Sequence, residues 1–157
     1  MKLLLLLLTT LVNTTAFCCT QLTQSQQRVH DLITEIVPEQ DRGTMLAIAM
    51  VETKMGDFRG NRRSASRGLM QMQRIAIQSV LSKRDVSNEY NRIVTDDRLS
   101  VQLAYRHFKD YERQTGNRVA ALVAYNVGIG AYKRHAPYSS HRYVKKVNKA
   151  IQVYCLG

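Results

Sequence analysis

The chain has 157 residues, of which 45% are hydrophobic and 22% charged, a composition typical of a globular protein and not of a disordered one. This length suits one domain with its own hydrophobic core. The formal net charge of +11 favours contact with polyanions, but the basic residues are scattered and no nucleic-acid recognition motif is visible. A specific nucleic-acid-binding function is therefore not expected.

The N-terminal segment Met1–Ala16 has the pattern of a secretory signal peptide. Lys2 precedes an apolar segment, and Ala16 is a small residue suited to cleavage, which could also fall as late as Cys19. The apolar run, about ten residues, is shorter than the roughly 20 that a membrane-spanning helix needs. A retained N-terminal anchor is the alternative interpretation. We predict an exported protein whose mature domain covers residues 17–157 and has no membrane span.

Apolar periodicity predicts helices separated by short polar segments, without a strand. The expected elements are, in chain order, a helix over Thr23–Val37, a polar connection over Glu39–Gly43, a helix capped by Thr44 and ended by Gly56, a loop over Asp57–Arg67, a helix over Gln73–Lys83 with Ile75 facing inward, an irregular stretch over Arg84–Thr95, a helix from Asp96 or Asp97 to about Gln114, a helix capped by Asn117 and broken by Gly128 and Gly130, a loop over Lys133–Ser140, and a last helix over His141–Tyr154.

One carboxylate stands out on this pattern. Glu52 follows the apolar run of Thr44–Val51, which is typical of a buried helix. A carboxylate on the inward face of such a helix is costly unless it has a partner or a chemical role. The alternatives are a Glu paired with an Arg and a Glu that reaches water at the helix end. At helical spacing its face is shared by Met45, Ile48, Ala49 and Met55.

The three cysteines, Cys18, Cys19 and Cys155, lie near the two ends of the mature chain. Export permits a disulfide, and a bridge from Cys155 to Cys18 or Cys19 would close nearly the whole chain. In the chain-entropy model such a loop stabilises the fold by about 4–5 kcal/mol. The alternative is three free or buried thiols. No Cys-x-x-Cys or Cys-His spacing indicates a metal site.

Four motifs occur in order along the chain: Glu52-Thr53, a serine-rich turn into Gly68-Leu69-Met70-Gln71, Ala124–Gly128 (AYNVG), and Tyr143-Val144. In this order and spacing the sequence resembles the lytic transglycosylase family, the domain named after soluble lytic transglycosylase, over roughly Pro38–Val153. The resemblance implies an all-α, lysozyme-like fold with the Glu52 helix in the wall of a cleft. It departs from the family pattern at Ala65-Ser66-Arg67, where Gly-Ala often stands, and Ser64 is the alternative match to Ser66.

The resemblance also implies an activity and a site. In this family a single Glu protonates the bond between N-acetylmuramic acid and N-acetylglucosamine, then acts as base on the sugar's 6-hydroxyl, so that a 1,6-anhydro ring forms. A Glu desolvated by apolar neighbours suits this work, because its pKa rises and it stays protonated near neutral pH. Neither cofactor nor metal is implied. By matching position, the catalytic residue is Glu52 and the substrate-binding residues are Ser66, Gly68, Met70, Gln71, Tyr125, Asn126 and Tyr143.

Each matched residue also has an ordinary structural explanation. Met70 could fill the core, Asn126 could cap a helix, and Tyr143 could be a packing aromatic. By resemblance, Gly68 lets the backbone approach the sugar, and Met70 and Gln71 line the cleft.

Two other function classes remain open on the sequence. A hydrolytic muramidase of the goose-lysozyme type would need a second acid to position water. Asp57 follows the predicted helix end at Gly56, so that nothing fixes its position, and Asp96 and Asp97 are better explained as helix caps. A basic module that has lost activity and only binds glycan is the third class. The expected partner is the anionic peptidoglycan strand, in the service of a secretion, conjugation or phage assembly.

Overall fold

The computed structural model describes residues 19–58, 65–82, 85–134 and 141–156. The predicted signal peptide, Cys18 and Ser64 lie outside these ranges. The described residues form eight helices and no strand, as predicted, apart from one isolated bridge between Arg67 and Met72. The helices are α1 (Gln24–Ile36), α2 (Glu39–Thr53), α3 (Arg74–Gln78), α4 (Val86–Arg92), α5 (Asp97–Thr115), α6 (Arg118–Val127), α7 (Ile129–Arg134) and α8 (His141–Tyr154).

Local capping explains where several helices begin and end. Thr23 and Gln26 form a reciprocal capping box at the start of α1. Asp96 and Asn117 accept hydrogen bonds from backbone N–H groups of the first turns of α5 and α6. Gly116 ends α5 with a φ of +65°, a conformation that glycine adopts at little cost. The predicted boundaries of α1, α5, α6 and α8 are therefore confirmed to within a residue or two.

The helix that carries Glu52 is longer than predicted. It begins at Glu39, after Pro38, so the expected polar connection over Glu39–Gly43 is its first turn and Thr44 lies inside it. The polar sequence misled because Asp41 is wholly buried and pairs with Arg118 and Lys109. Acidic side chains in the first turn also favour a helix start, since they face its positive end.

The middle of the chain departs most from the prediction. In place of one helix over Gln73–Lys83 there is only α3, in which Ile77 is buried and Ile75 is 71% exposed, so the inward placement of Ile75 is wrong. The stretch expected to be irregular contains α4, and Gly130 lies within α7. Helices of five to seven residues are too short to show a clear helical period in the sequence. Such short helices depend on tertiary contacts for their stability.

The core is built around α2, whose residues Met45–Ala49 are almost fully buried. Helix α8 packs along α2, α1 packs on another part of it, and α5 pairs with α6. A helix that is apolar on nearly all sides requires such coverage. This arrangement places the C-terminal end of α2 beside α8 and near the cleft described below.

A disulfide joins Cys19 to Cys155, with 5.7 Å between their Cα atoms. The predicted bridge is confirmed, and Cys19 is the partner. The Thr20 N–H also donates to the Val153 carbonyl at 2.8 Å, so the segment that follows Cys19 is attached to the end of α8. Within the described ranges, no helix combines the length and apolarity needed to cross a bilayer.

Candidate active site

Glu52 occupies the last turn of α2, where the backbone breaks out of the helix. Lys54 and Met55 have φ values of +51° and +53°, and Gly56 has +93°. The Lys54 and Met55 N–H groups donate back to the carbonyls of the last turn at 3.0 Å, in the manner of a left-handed helix cap. The helix therefore ends directly after the carboxylate and holds it at the edge of the core.

The environment of Glu52 favours its neutral form. Burial raises the pKa of the carboxyl above its usual value, and this effect outweighs the opposing influence of a hydrogen bond from Tyr143 and of the charge on Lys146. The Tyr143 hydroxyl donates to Oε1 at 2.7 Å. The negative end of the helix dipole lies at this end of α2 and also disfavours a carboxylate. Glu52 can therefore carry a proton at a pH where an exposed Glu would not.

The Gly68–Gln71 motif forms a tight turn closed by the bridge between Arg67 and Met72, which exchange two backbone hydrogen bonds of 2.9 Å. Gly68 has a φ of +73°, and a Cβ there would lie 2.3 Å from the Ile93 carbonyl oxygen. Glycine is therefore required for packing against the chain after α4. Gln71 also has a positive φ of +48°, and its side-chain amide donates to the Gly68 carbonyl at 3.0 Å.

Thr53 attaches this turn to the Glu52 helix. Its hydroxyl lies 2.9 Å from the Leu69 carbonyl and 3.2 Å from the Ala49 carbonyl, and it accepts a hydrogen bond from the Gly56 N–H. On the other side of the turn, the Tyr125 hydroxyl donates to the Met70 carbonyl at 3.0 Å. The first three motifs of the sequence therefore meet through backbone carbonyls.

A cleft of about 320 Å³ lies where these elements meet. Of the predicted site residues, Glu52, Ser66, Gln71, Tyr125 and Asn126 line it. The remaining lining residues, which sequence reasoning did not identify as part of the site, are Met72, Gln73, Ile75, Ala76, His107, Tyr111, Val127 and Gly128.

Three predicted site residues lie behind the cleft wall. Met70 is wholly buried, so the prediction that it lines the cleft is wrong; its backbone, held by Tyr125 and by Ser100, supports the turn. Gly68 is also buried, against Ile93. Tyr143 is buried within α8, and its hydroxyl contacts Glu52 in place of the cleft.

All twelve Asp and Glu residues lie in the described ranges, and Glu52 is the only one that lines the cleft. Asp57 accepts hydrogen bonds from Ser25 and Gln26 at 2.9 and 3.0 Å, which attach it to the start of α1. Asp96 is the N-cap of α5. The arrangement therefore offers one proton donor and acceptor, with no second carboxylate in the cleft.

A comparison with protein-family models gives a match to the transglycosylase SLT domain over residues 36–148, most of the chain. This chain belongs to the SLT transglycosylase family. Membership implies lytic transglycosylase activity on peptidoglycan and a lysozyme-like fold. The matched region contains α2, the turn, α3, α5 and α6, which line the cleft, and also Tyr143, which contacts Glu52 from behind the cleft wall. Neither the curated proteins nor the solved structures include a significant match to the chain.

Within this SLT domain, His107 is a cleft residue for which the sequence motifs predict no role. It lies on α5 and is 3% exposed, and its ring packs against Tyr111 and Tyr125 with centroid distances of 4.1 and 5.8 Å. Burial lowers its pKa to about 4, although nearby Asp110 opposes the shift. Its spacing from Tyr111, four residues along a helix, placed it on the apolar face and was the available signal.

Among the described residues, no group of three or more His, Cys, Asp and Glu side chains is arranged to hold a metal ion. The groups that the cleft itself offers are one carboxyl, a neutral imidazole, amides and tyrosines.

Proposed function

We propose that this SLT domain is a peptidoglycan lytic transglycosylase that cleaves the β-1,4 bond from N-acetylmuramic acid to N-acetylglucosamine, with Glu52 as the catalytic residue. The observation that carries the proposal is the solitary position of Glu52: no other Asp or Glu lines the cleft. Reactions that use a carboxylate pair need a second one within the site. A single acid with a raised pKa fits a reaction in which one group serves twice.

The proposed reaction has two proton transfers and consumes no water. As the bond between C1 of muramic acid and the bridging oxygen breaks, protonated Glu52 gives its proton to that oxygen, and the N-acetylglucosamine 4-hydroxyl leaves. The 6-hydroxyl oxygen of the same muramic acid then bonds to C1, and its proton passes to the Glu52 carboxylate. The acid is regenerated and the product is a 1,6-anhydro ring.

The environment of Glu52 supports both transfers. Desolvation favours the protonated acid before the first step, which an acid in its ordinary pKa range would rarely supply near neutral pH. The Tyr143 hydroxyl, 2.7 Å from Oε1, can stabilise the carboxylate that exists between the two steps. The charge of Lys146 acts in the same sense. The pKa of Glu52 is therefore raised, while the contacts with Tyr143 and Lys146 still allow its carboxyl to lose the proton.

The lining side chains suit a sugar polymer. We assign the amides of Gln71 and Asn126 and the hydroxyl of Ser66 to hydrogen bonds with the glycan. Ile75 and Val127 line the cleft and are exposed, so they offer apolar surface to the faces of sugar rings. The Tyr125 hydroxyl is engaged by the Met70 carbonyl, and its contact with substrate is therefore assigned to the ring.

The products of peptidoglycan digestion test the proposal. Mass spectrometry should find muropeptides one water lighter than hydrolysis products, without new reducing ends. Products with free reducing ends would make the protein a hydrolytic muramidase. Binding of wild-type protein to purified cell wall without any product would leave an inactive glycan-binding module, and either result would overturn the proposal.

The substrate lies outside the cytoplasm, and we propose that residues 1–16 direct export to the periplasm or beyond. A net charge of +11 suits the anionic cell wall, and we propose that the enzyme serves a secretion, conjugation or phage assembly.

Protein isolated from an oxidising compartment should give a Cys19–Cys155 cross-linked peptide in a map made without reduction. Full alkylation of both cysteines in folded, exported protein would contradict this expectation.

A further inference from the structure

His107 lines the cleft but has no part in the reaction proposed for Glu52. A neutral imidazole carries its proton on only one of its two nitrogens. The neighbouring hydrogen bonds determine which nitrogen this is, and therefore whether the ring can donate or accept a hydrogen bond in the cleft.

Ser79 determines the tautomer. The Ser79 hydroxyl lies 2.7 Å from the Ala76 carbonyl oxygen and 2.8 Å from Nδ1 of His107. A carbonyl oxygen can only accept, so the single hydroxyl proton of Ser79 points to Ala76. The proton between Ser79 and His107 must then belong to Nδ1. Because the ring is neutral at physiological pH, Nε2 carries no proton and is an acceptor.

Nε2 faces the cleft. No described residue makes a hydrogen bond to it, whereas no fully enclosed side-chain nitrogen or oxygen in the described ranges lacks a partner. The ring edge that carries Nε2 is therefore the part that touches the cavity, consistent with the place of His107 in the cleft lining. Tyr111 and Tyr125 pack against the ring, which limits its rotation.

We propose that Nε2 of His107 accepts a hydrogen bond from a donor on the glycan, a sugar hydroxyl or an acetamido N–H, so that His107 is a substrate-binding residue of this site. The inference rests on the proposed function, since it assigns one contact of the same substrate. An acceptor that is neutral also adds no positive charge to the cavity that Glu52 shares, where a cation would lower the pKa of the acid.

The first test is the tautomer itself. Long-range ¹H–¹⁵N correlation spectra of the wild-type protein near pH 7 should show a protonated Nδ1 and an unprotonated Nε2 for His107. A proton on Nε2 would overturn the inference directly, and this measurement requires no substitution.

The second test measures binding without turnover. In the Glu52→Gln protein, His107→Phe keeps an aromatic ring and removes the acceptor, and it should weaken co-sedimentation with purified sacculi by about 3- to 10-fold, as expected for one lost hydrogen bond. The matched control is His30→Phe on α1, where His30 pairs with Asp31 away from the cleft, and its affinity should not change. Equal affinity of His107→Phe and its parent would overturn the inference.

A third measurement covers the case in which His107→Phe does not fold. Soluble glycan strands released from sacculi by an amidase should shift the Nε2 resonance when added to the Glu52→Gln protein, and no shift on adding strands would overturn the inference. This failure is distinguishable from failure of the proposed function, which is diagnosed by the products of the wild-type enzyme.

Discussion

Helix α2 carries an acid near each end, of which Asp41 is wholly buried and Glu52 partly buried, and the two differ in almost every respect. Asp41, in the first turn, is wholly buried but contacts Arg118, Lys109 and Tyr105. Although burial alone would raise its pKa, hydrogen bonds from Tyr105 and Lys109 and the charge of Arg118 hold that pKa below its usual value. Glu52, in the last turn, has one hydroxyl partner and a raised pKa.

The difference shows what separates an acid that is suited to a structural role from one that is suited to the proposed chemistry. Burial does not separate their chemistry, because it acts to raise the pKa of both carboxyls. Asp41 lies at the positive end of the helix dipole, and its cationic and hydroxyl partners more than offset the effect of burial on its pKa. Its ionised form is therefore favoured. Glu52 lies at the negative end of the helix dipole and lines the cleft. The Tyr143 hydrogen bond and the Lys146 charge offset only part of the effect of burial on its pKa. Only the second group has a pKa that is shifted towards neutral pH.

The largest expected effect comes from removing the proton of the second acid. Glu52→Gln should lower turnover of peptidoglycan by more than the roughly 10²- to 10⁴-fold typical of one acid–base role, because both proton transfers of the proposed reaction use this group. Its stability should equal or exceed that of the wild type at pH 7. Full activity would remove Glu52 from the mechanism.

The stability change has a definite sign with pH. The folded-state pKa of Glu52 is raised above its ordinary 4.5, so the wild type is favoured at low pH and loses stability as pH rises through that pKa. The advantage of Glu52→Gln should therefore be absent below pH 4.5, grow as the pH rises from 4.5 to the raised pKa, and stay constant above it. Denaturant unfolding at several pH values measures it.

Asp41→Asn should show the opposite pattern. Removing this charge leaves Arg118 and Lys109 without their buried partner, and we expect a loss of about 2–3 kcal/mol in the free energy of unfolding, reduced because both cations keep contact with water. Activity per folded molecule should stay close to that of the wild type. A large loss of turnover at unchanged stability would mean that the two acids are not functionally distinct.

Tyr143→Phe should give the smallest effect and sharpen the comparison further. Without the hydroxyl the pKa of Glu52 should rise, because a bond that favours its carboxylate is lost. Since the acid must be protonated to act, the alkaline limb of the kcat/KM profile should move up by about one pH unit or less. Tyr154→Phe, on the same helix, is the control and should leave the profile in place; an unmoved profile in Tyr143→Phe would exclude this coupling.

The capping signals and the long periodic helices could be read from sequence, because their causes are local. Asn117 caps α6 and Gly116 ends α5 by interactions within a few residues. The start of α2 could not be predicted in this way. The charged residues of Glu39–Gly43 indicate a solvent-exposed connection, and the contact of Asp41 with Arg118, which makes its burial possible, is between residues far apart in the sequence. Met70 was misplaced for a related reason: a motif indicates which residues are needed but not which of them faces the cavity.

The sequence by itself determined that this is an all-α domain of the SLT type and made Glu52 the candidate catalytic acid, because apolar period, caps and motif order are properties of neighbouring residues. Only the tertiary structure decided that no other carboxylate enters the cleft, that Cys19 is the cysteine bridged to Cys155, and that Gly68 is required by the Ile93 carbonyl. The same holds for the proton of His107, which depends on Ser79, a residue on another segment. Such properties arise from contacts between distant parts of the chain, which local pattern does not encode.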